Sequence, residues 1–154
     1  MNLNWDELKE KVYFEDGSFR DIYVFEINVE SWKKWAEFVN QNYEVEFLDR
    51  ATDRKTSLIN FSEVEEFWNG TKESGKLATV KIDGININCH FFSPGEFEND
   101  ILPKEINSLQ AHERLTSYLK DVSRIFNKKV LLTDENAPEF VLLEIDSSEV
   151  SIKI

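Results

Sequence analysis

The sequence predicts an α+β fold, a single domain over residues 1–154 in which a mostly antiparallel β-sheet packs its inner face on two or three helices. Three observations predict it. Strand-like segments outnumber helical ones and follow no regular βαβ alternation. One pair of strands is joined by Asp83-Gly84, the two-residue turn that hairpins use. Two longer segments carry apolar residues three and four positions apart, the mark of a helix with one buried face. With 41% hydrophobic and 13% aromatic residues in 154, the chain can fill one core and is far too apolar for a disordered acidic tail.

Trp5 to Lys11 reads as a short helix with Trp5, Leu8 and Val12 on one side, ended by the turn signal Asp16-Gly17. Asp21 to Ile27 is β-branched and aromatic without alternation, which suits a central strand covered on both faces. Asn28 caps the next helix, on which Trp32, Trp35, Ala36 and Val39 share a face expected to be core. Tyr43 to Leu48 alternates, with Glu44 and Glu46 turned to solvent, and Thr56 to Ile59 is a return strand. Ser62-Glu63-Val64-Glu65 fits a capping box for a short helix through Trp68, stopped by Asn69-Gly70.

Thr71 to Lys76 reads as an exposed loop, followed by the hairpin of Leu77 to Ile82 and Ile85 to Phe92. Its second strand places Ile85, Ile87, Cys89 and Phe91 on one face and Asn86, Asn88 and His90 on the other. Pro94-Gly95 ends it, and Glu96, Glu98 and Asp100 are expected in an acidic loop. Asn107 with Gln110 caps the longest helix, with Leu109, His112, Leu115, Leu119, Val122 and Phe126 inward. Lys129 to Thr133, Phe140 to Asp146 and Glu149 to Ile154 are closing strands.

Charge narrows the function classes. Thirty Asp and Glu against eighteen Lys and Arg give −12, concentrated in two stretches without a basic residue, Ile82 to Pro103 and Val130 to Ile152. Such an excess favours a basic partner and repels polyanions, so direct nucleic-acid binding is not expected. No apolar run approaches the ~20 residues of a membrane span, and the polar, acidic start lacks the pattern of an export signal. The expectation is a soluble cytoplasmic protein without membrane contact, of open oligomeric state.

No catalytic or metal-ligating frame is visible. The five glycines are scattered singly, which leaves no phosphate-cradling loop. His90 and His112 lie on different elements with no zinc spacing, and the one cysteine, Cys89, has no disulfide partner. Cys89 and His90 are strand neighbours whose side chains point to opposite faces, so they cannot act as nucleophile and base. No cofactor is expected. Two asparagines alternating on one strand need a reason, either cross-strand bonding or an exposed recognition face. Candidate partner-binding residues are therefore Asn86, Asn88, His90, Glu96, Glu98 and Asp100, with Asp134, Glu135 and Glu139 as a second acidic turn.

The segments Asp-Ile-Tyr-Val at 21–24, Ser-Trp-Lys-Lys-Trp at 31–35, Asn-Cys-His-Phe-Phe at 88–92 and Leu-Thr-Asp-Glu-Asn-Ala-Pro at 132–138 give the chain a layout. In it the chain resembles small bacterial proteins of unassigned activity, of the sort found among immunity proteins of polymorphic and contact-dependent toxin systems. The resemblance implies a non-enzymatic protein that neutralises a cationic toxin domain, such as a nuclease, by occupying its active site or an exosite. The alternatives are a small enzyme or ligand-binding domain using a carboxylate or His90, and an acidic mimic of nucleic acid that inhibits a DNA-binding protein.

Overall fold

The computed structural model describes residues 4–71 and 75–153. Four helices, α1 (Trp5–Lys11), α2 (Val29–Asn42), α3 (Phe61–Trp68) and α4 (Leu109–Phe126), accompany nine strands. These are β1 (Arg20–Phe25), β2 (Glu44–Asp49), β3 (Arg54–Thr56), β4 (Lys76–Ile82), β5 (Ile85–Ser93), β6 (Glu96–Ile101), β7 (Val130–Asp134), β8 (Ala137–Asp146) and β9 (Glu149–Ile152). All nine join one antiparallel sheet in the order β3-β2-β4-β5-β6-β1-β7-β8-β9. The α+β class with helices on a mostly antiparallel sheet is thus the observed one.

The local signals act as their chemistry requires. Asn28 accepts the Ser31 amide at 2.9 Å and starts α2. Asp83 and Gly84 both take positive φ, 44° and 89°, which allows the tight turn between β4 and β5. Asn127 closes α4 in the left-handed conformation.

Several boundaries differ from expectation, among them the start of β8 at Ala137 rather than Phe140. The α3 helix begins at Phe61 after Asn60, and the Ser62 hydroxyl donates to the Asn60 side chain at 2.7 Å, so Ser62 is not the cap. Ser108, one residue beyond Asn107, caps α4 through the Ala111 amide. The return strand lies at Arg54–Thr56 rather than at Thr56 to Ile59. Most consequentially, Glu96–Ile101 is a strand, fifth of nine, where an acidic loop was expected. Of the expected exposed loop at Thr71 to Lys76, residues 72–74 lie outside the described residues, and Lys76 already belongs to β4.

The core lies on one face of the sheet. Trp32 is fully buried, its ring against those of Trp35, Phe61, Trp68, Phe91, Phe97 and Phe126, so it joins α2, α3 and α4 to β5 and β6. Trp35 Nε1 donates to Tyr118 Oη at 2.9 Å and Trp68 Nε1 to the Phe91 carbonyl at 2.9 Å, which satisfies the indoles. The α1 segment is held on the same side: Tyr13 Oη and His112 Nδ1 are hydrogen-bonded at 2.6 Å, and burial lowers the His112 pKa. The buried Arg20 guanidinium fixes the chain after α1 by donating to the carbonyls of Val12, Phe14 and Phe19.

Candidate functional site

Among the described residues none of α1–α4 packs on the opposite face of the sheet, where only the short 3-10 turn Pro103–Glu105 reaches Asn86, and the centre of that face is acidic. In β5, Ile85, Ile87, Cys89 and Phe91 are buried toward the helices, leaving Asn86, Asn88, His90 and Phe92 on the other side. Phe97, Asn99 and Ile101 of β6 also point to the core, so Glu96, Glu98 and Asp100 share the open face. Strand register adds Asp21, Tyr23 and Phe25 of β1, opposite Asp100, Glu98 and Glu96 respectively. These open-face positions of β5, β6 and β1 hold four carboxylates, Asp21, Glu96, Glu98 and Asp100, and no Lys or Arg.

A hydrogen-bonded chain crosses three strands here. Thr79 Oγ1 donates to Asn88 Oδ1 at 2.9 Å, and Asn88 Nδ2 donates to Asp100 Oδ1 at 3.0 Å. His90 Nε2 lies 2.6 Å from the other oxygen, Asp100 Oδ2. A carboxylate only accepts, so Nε2 carries the proton and the imidazole is fixed in direction. Both asparagines are thus used for cross-strand and tertiary bonding: Asn86 gives its backbone N–H and its Nδ2 to the two oxygens of Glu105, at 2.9 and 3.1 Å. Asn86 faces a recess of about 320 Å³ lined by Glu46, Thr79, Lys81, Asn88, Leu102 and Glu105, beside rather than within the carboxylate group.

The second acidic turn adjoins the first group through Asp21. Asp21 Oδ2 accepts the Asn136 amide at 2.7 Å and the Tyr23 hydroxyl at 3.2 Å, which ties the β7–β8 turn to the open face. Glu135 Oε1 accepts the Phe19 amide at 2.7 Å, so that acid holds the start of β1. Asp134 ends β7 opposite Arg20, and Glu139 stands exposed on β8, away from the carboxylates of β6. Asp21 was not among the expected site residues. Its signal was present in the alternation Asp21, Tyr23, Phe25 against Ile22 and Val24, hidden because every residue from 20 to 24 is buried.

Crowding of like charge marks this centre. Partial burial raises the pKa of Glu98, helped by Asp21, Glu96 and Asp100, with His90 opposing. Burial likewise raises Asp21, with Asp100 and Glu135 adding to the effect while the Asn136 and Tyr23 bonds oppose it. At the flanks of the sheet the acids are instead neutralised: Lys55 lies 3.7 Å from Glu46, and Lys129 and Lys153 lie 3.1 and 3.0 Å from Glu144. Those two lysines hold the Glu144 carboxyl below the usual carboxylate range.

Cys89 sits on the core face, fully buried, and burial pushes its thiol pKa up, so it offers His90 no nucleophile. Among the described residues no group of three or more His, Cys, Asp or Glu has the arrangement to hold a metal ion, and no helix is long and apolar enough to cross a membrane. A larger recess of about 600 Å³ lies apart from the open face, between β2, β3 and α3. There Lys76 pairs with Asp49 at 3.2 Å and Arg54 with Glu63 at 3.4 Å. No protein-family model, curated protein or solved structure matches this chain, and the geometry of the open face is what carries its functional reading.

Proposed function

We propose that this chain is a non-enzymatic binding protein that docks a basic protein on the open face of its sheet. In the reading that the resemblance supports, the partner is the cationic toxin domain, such as a nuclease, of a polymorphic or contact-dependent toxin system. The chain then acts in the cytoplasm as the immunity protein. The carrying observation is the set Asp21, Glu96, Glu98 and Asp100, gathered on a face that none of α1–α4 covers, with no Lys or Arg among them, while Glu46 and Glu144 toward the flanks are paired with lysines. Charge of one sign held on a rigid surface speeds encounter with a positive partner and selects against negative ones.

The test is association with a basic protein partner, a cationic toxin domain where the neighbouring gene encodes one, followed from low to high salt. The screening length falls to ~8 Å at physiological ionic strength, so the association rate should drop steeply as salt rises. Absence of binding, or a rate indifferent to salt, contradicts the reading.

Two observations favour other classes. Glu96, Glu98 and Asp100 occupy alternate positions of one strand, so their carboxylates repeat about every 6.8 Å. That regular row suits a mimic of nucleic acid, and competition between this protein and DNA for a DNA-binding partner tests it. The Asp100-oriented imidazole of His90 suits a general base, and hydrolase activity lost in His90→Gln would establish that class instead.

A further inference from the structure

Three cross-strand rows run over the centre of the open face, and they differ in what already occupies them. In the first, Asn88–Asp100–Asp21, every carboxylate oxygen that faces a donor is taken: Asp100 by Asn88 and His90, Asp21 by Tyr23 and the Asn136 amide. The next rows are His90–Glu98–Tyr23 and, past a bulge in β5, Ser93–Glu96–Phe25. Neither the Glu96 nor the Glu98 carboxylate has a hydrogen bond or ion pair among the described residues. Both are half-buried in a strand flanked on each side by another, so they cannot swing away from each other as exposed loop acids would.

Aromatic rings stand on both sides of this unpaired pair. On β5 the Phe92 ring lies parallel on His90, centroids 5.1 Å apart, and stays 63% exposed. On β1 the Phe25 ring stacks on Tyr23 at 5.3 Å and stays 37% exposed. β6 runs between them, so the two stacks are separated by two strand spacings, about 9.6 Å, with the carboxylates in the gap. Exposed large aromatics at the middle of a charged sheet face are the composition of an interface centre, where aromatic anchors and charge are desolvated together.

Two carboxylates without a cation, beside flat rings with a free side, match one side chain in particular. A guanidinium is planar, weakly hydrated and able to take two parallel bonds to a carboxylate while its face lies on an aromatic ring. An ammonium is compact and strongly hydrated, and offers neither the fork nor the flat surface. We propose that Glu96 and Glu98, with Phe92 and Phe25 beside them, form an arginine-binding centre that takes one arginine side chain of the basic partner. This rests on the docking reading above and names the chemistry at its core. The raised pKa of Glu98 supports it: burial is the main cause, and a bound cation offsets both that cost and the added repulsion from Asp21, Glu96 and Asp100.

The test titrates the 15N-labelled protein with N-acetyl-arginine amide and, at matched ionic strength, with N-acetyl-lysine amide. Amide shifts should concentrate at residues 23–25, 90–92 and 96–98, with apparent affinity for the arginine probe several-fold above that for lysine. Phe25→Ala with Phe92→Ala should bring arginine down to the lysine level, and Glu96→Gln with Glu98→Gln should remove both responses. The same Phe pair, truncated, should weaken association with the toxin domain by about tenfold or more, as expected of anchor residues. Equal responses to the two probes, or shifts spread over all the acids, overturn the arginine centre. If Glu98→Lys still abolishes partner association in that case, the docking reading stands alone. If Glu98→Lys leaves association unchanged, the docking reading falls with it.

Discussion

The two faces of the central strands are built from the same residues in alternation, and they obey opposite rules. On one face Ile85 and Ile87 are fully buried, Phe91 and Phe97 pack against Trp32 and Trp35, and the indole N–H groups find acceptors. On the other, His90, Glu96, Glu98 and Asp100 crowd like charges with a single imidazole among them and leave two phenyl rings in solvent. A protein selected for stability alone would spread or pair those acids, as this one does at Glu46 and Glu144. The contrast singles out Glu96 and Glu98, whose carboxylates take no part in the bonding that Asp21, Asn88, His90 and Asp100 supply to the fold, and the proposed docking role accounts for them.

The largest expected effect tests whether the faces differ as described. Trp32→Ala should cost about 3–5 kcal/mol, because it empties the centre of the aromatic cluster. Phe92→Ala should stay within about 0.5 kcal/mol, since that ring is mostly in solvent. Denaturant midpoints of the two variants check this, and comparable losses would erase the distinction. Next in size is Asp100→Ala, expected to lose about 1–2 kcal/mol because Asn88 Nδ2 and His90 Nε2 lose their acceptor. Asp100 thus belongs partly to the fold, whereas the carboxylates of Glu96 and Glu98 have no hydrogen bond or ion pair among the described residues.

One residue breaks the rule of the core face. Asn99, fully buried in β6 opposite Cys89 and Ile22, has neither its Oδ1 nor its Nδ2 bonded among the described residues. Asn99→Val removes both unpaired groups and suits a strand better, so thermal unfolding should show a gain of about 1 kcal/mol. A loss would mean that the amide is satisfied in solution, by an internal water above all.

The smallest effect carries a sign. A carboxyl whose pKa is raised on folding contributes stability below its unfolded pKa and loses it as pH rises through the folded one, so the Glu98 charge burdens the fold at neutral pH. Glu98→Gln should therefore raise the melting temperature at pH 7 by about 1–2 °C. The difference from the parent should close as pH falls into the carboxylate range. A lower melting temperature in the variant would show that Glu98 serves the fold.

What the sequence disclosed follows the same divide. The hairpin turn at Asp83-Gly84, the Asn28 cap and the stripe Trp32, Trp35, Ala36, Val39 are local signals whose chemistry acts within a few residues, and each lies where it was expected. Strand β6 escaped because Glu96, Glu98, Asn99 and Asp100 disfavour a strand, and only its pairing with β5 and β1, far apart in sequence, makes it one. Four of the expected site residues, Asn88, His90, Glu98 and Asp100, come together for that same reason. Asp21 went unread because Ile22, Tyr23 and Val24 mask its alternation, and its role depends on Asn136, 115 residues away. Ser62 and Asn107 misplaced the starts of α3 and α4, since polar residues one or two positions apart, Asn60 with Ser62 and Asn107 with Ser108, compete for a cap.

The central claim is that the open face meets the partner. Amide chemical-shift mapping of the 15N-labelled protein in complex with the basic protein partner proposed above tests this directly. The account predicts perturbations centred on residues 21–25, 86–92 and 96–100, with α2 and α4 left quiet. Perturbations centred on α2 and α4, with Glu96, Glu98 and Phe92 unmoved, would contradict it.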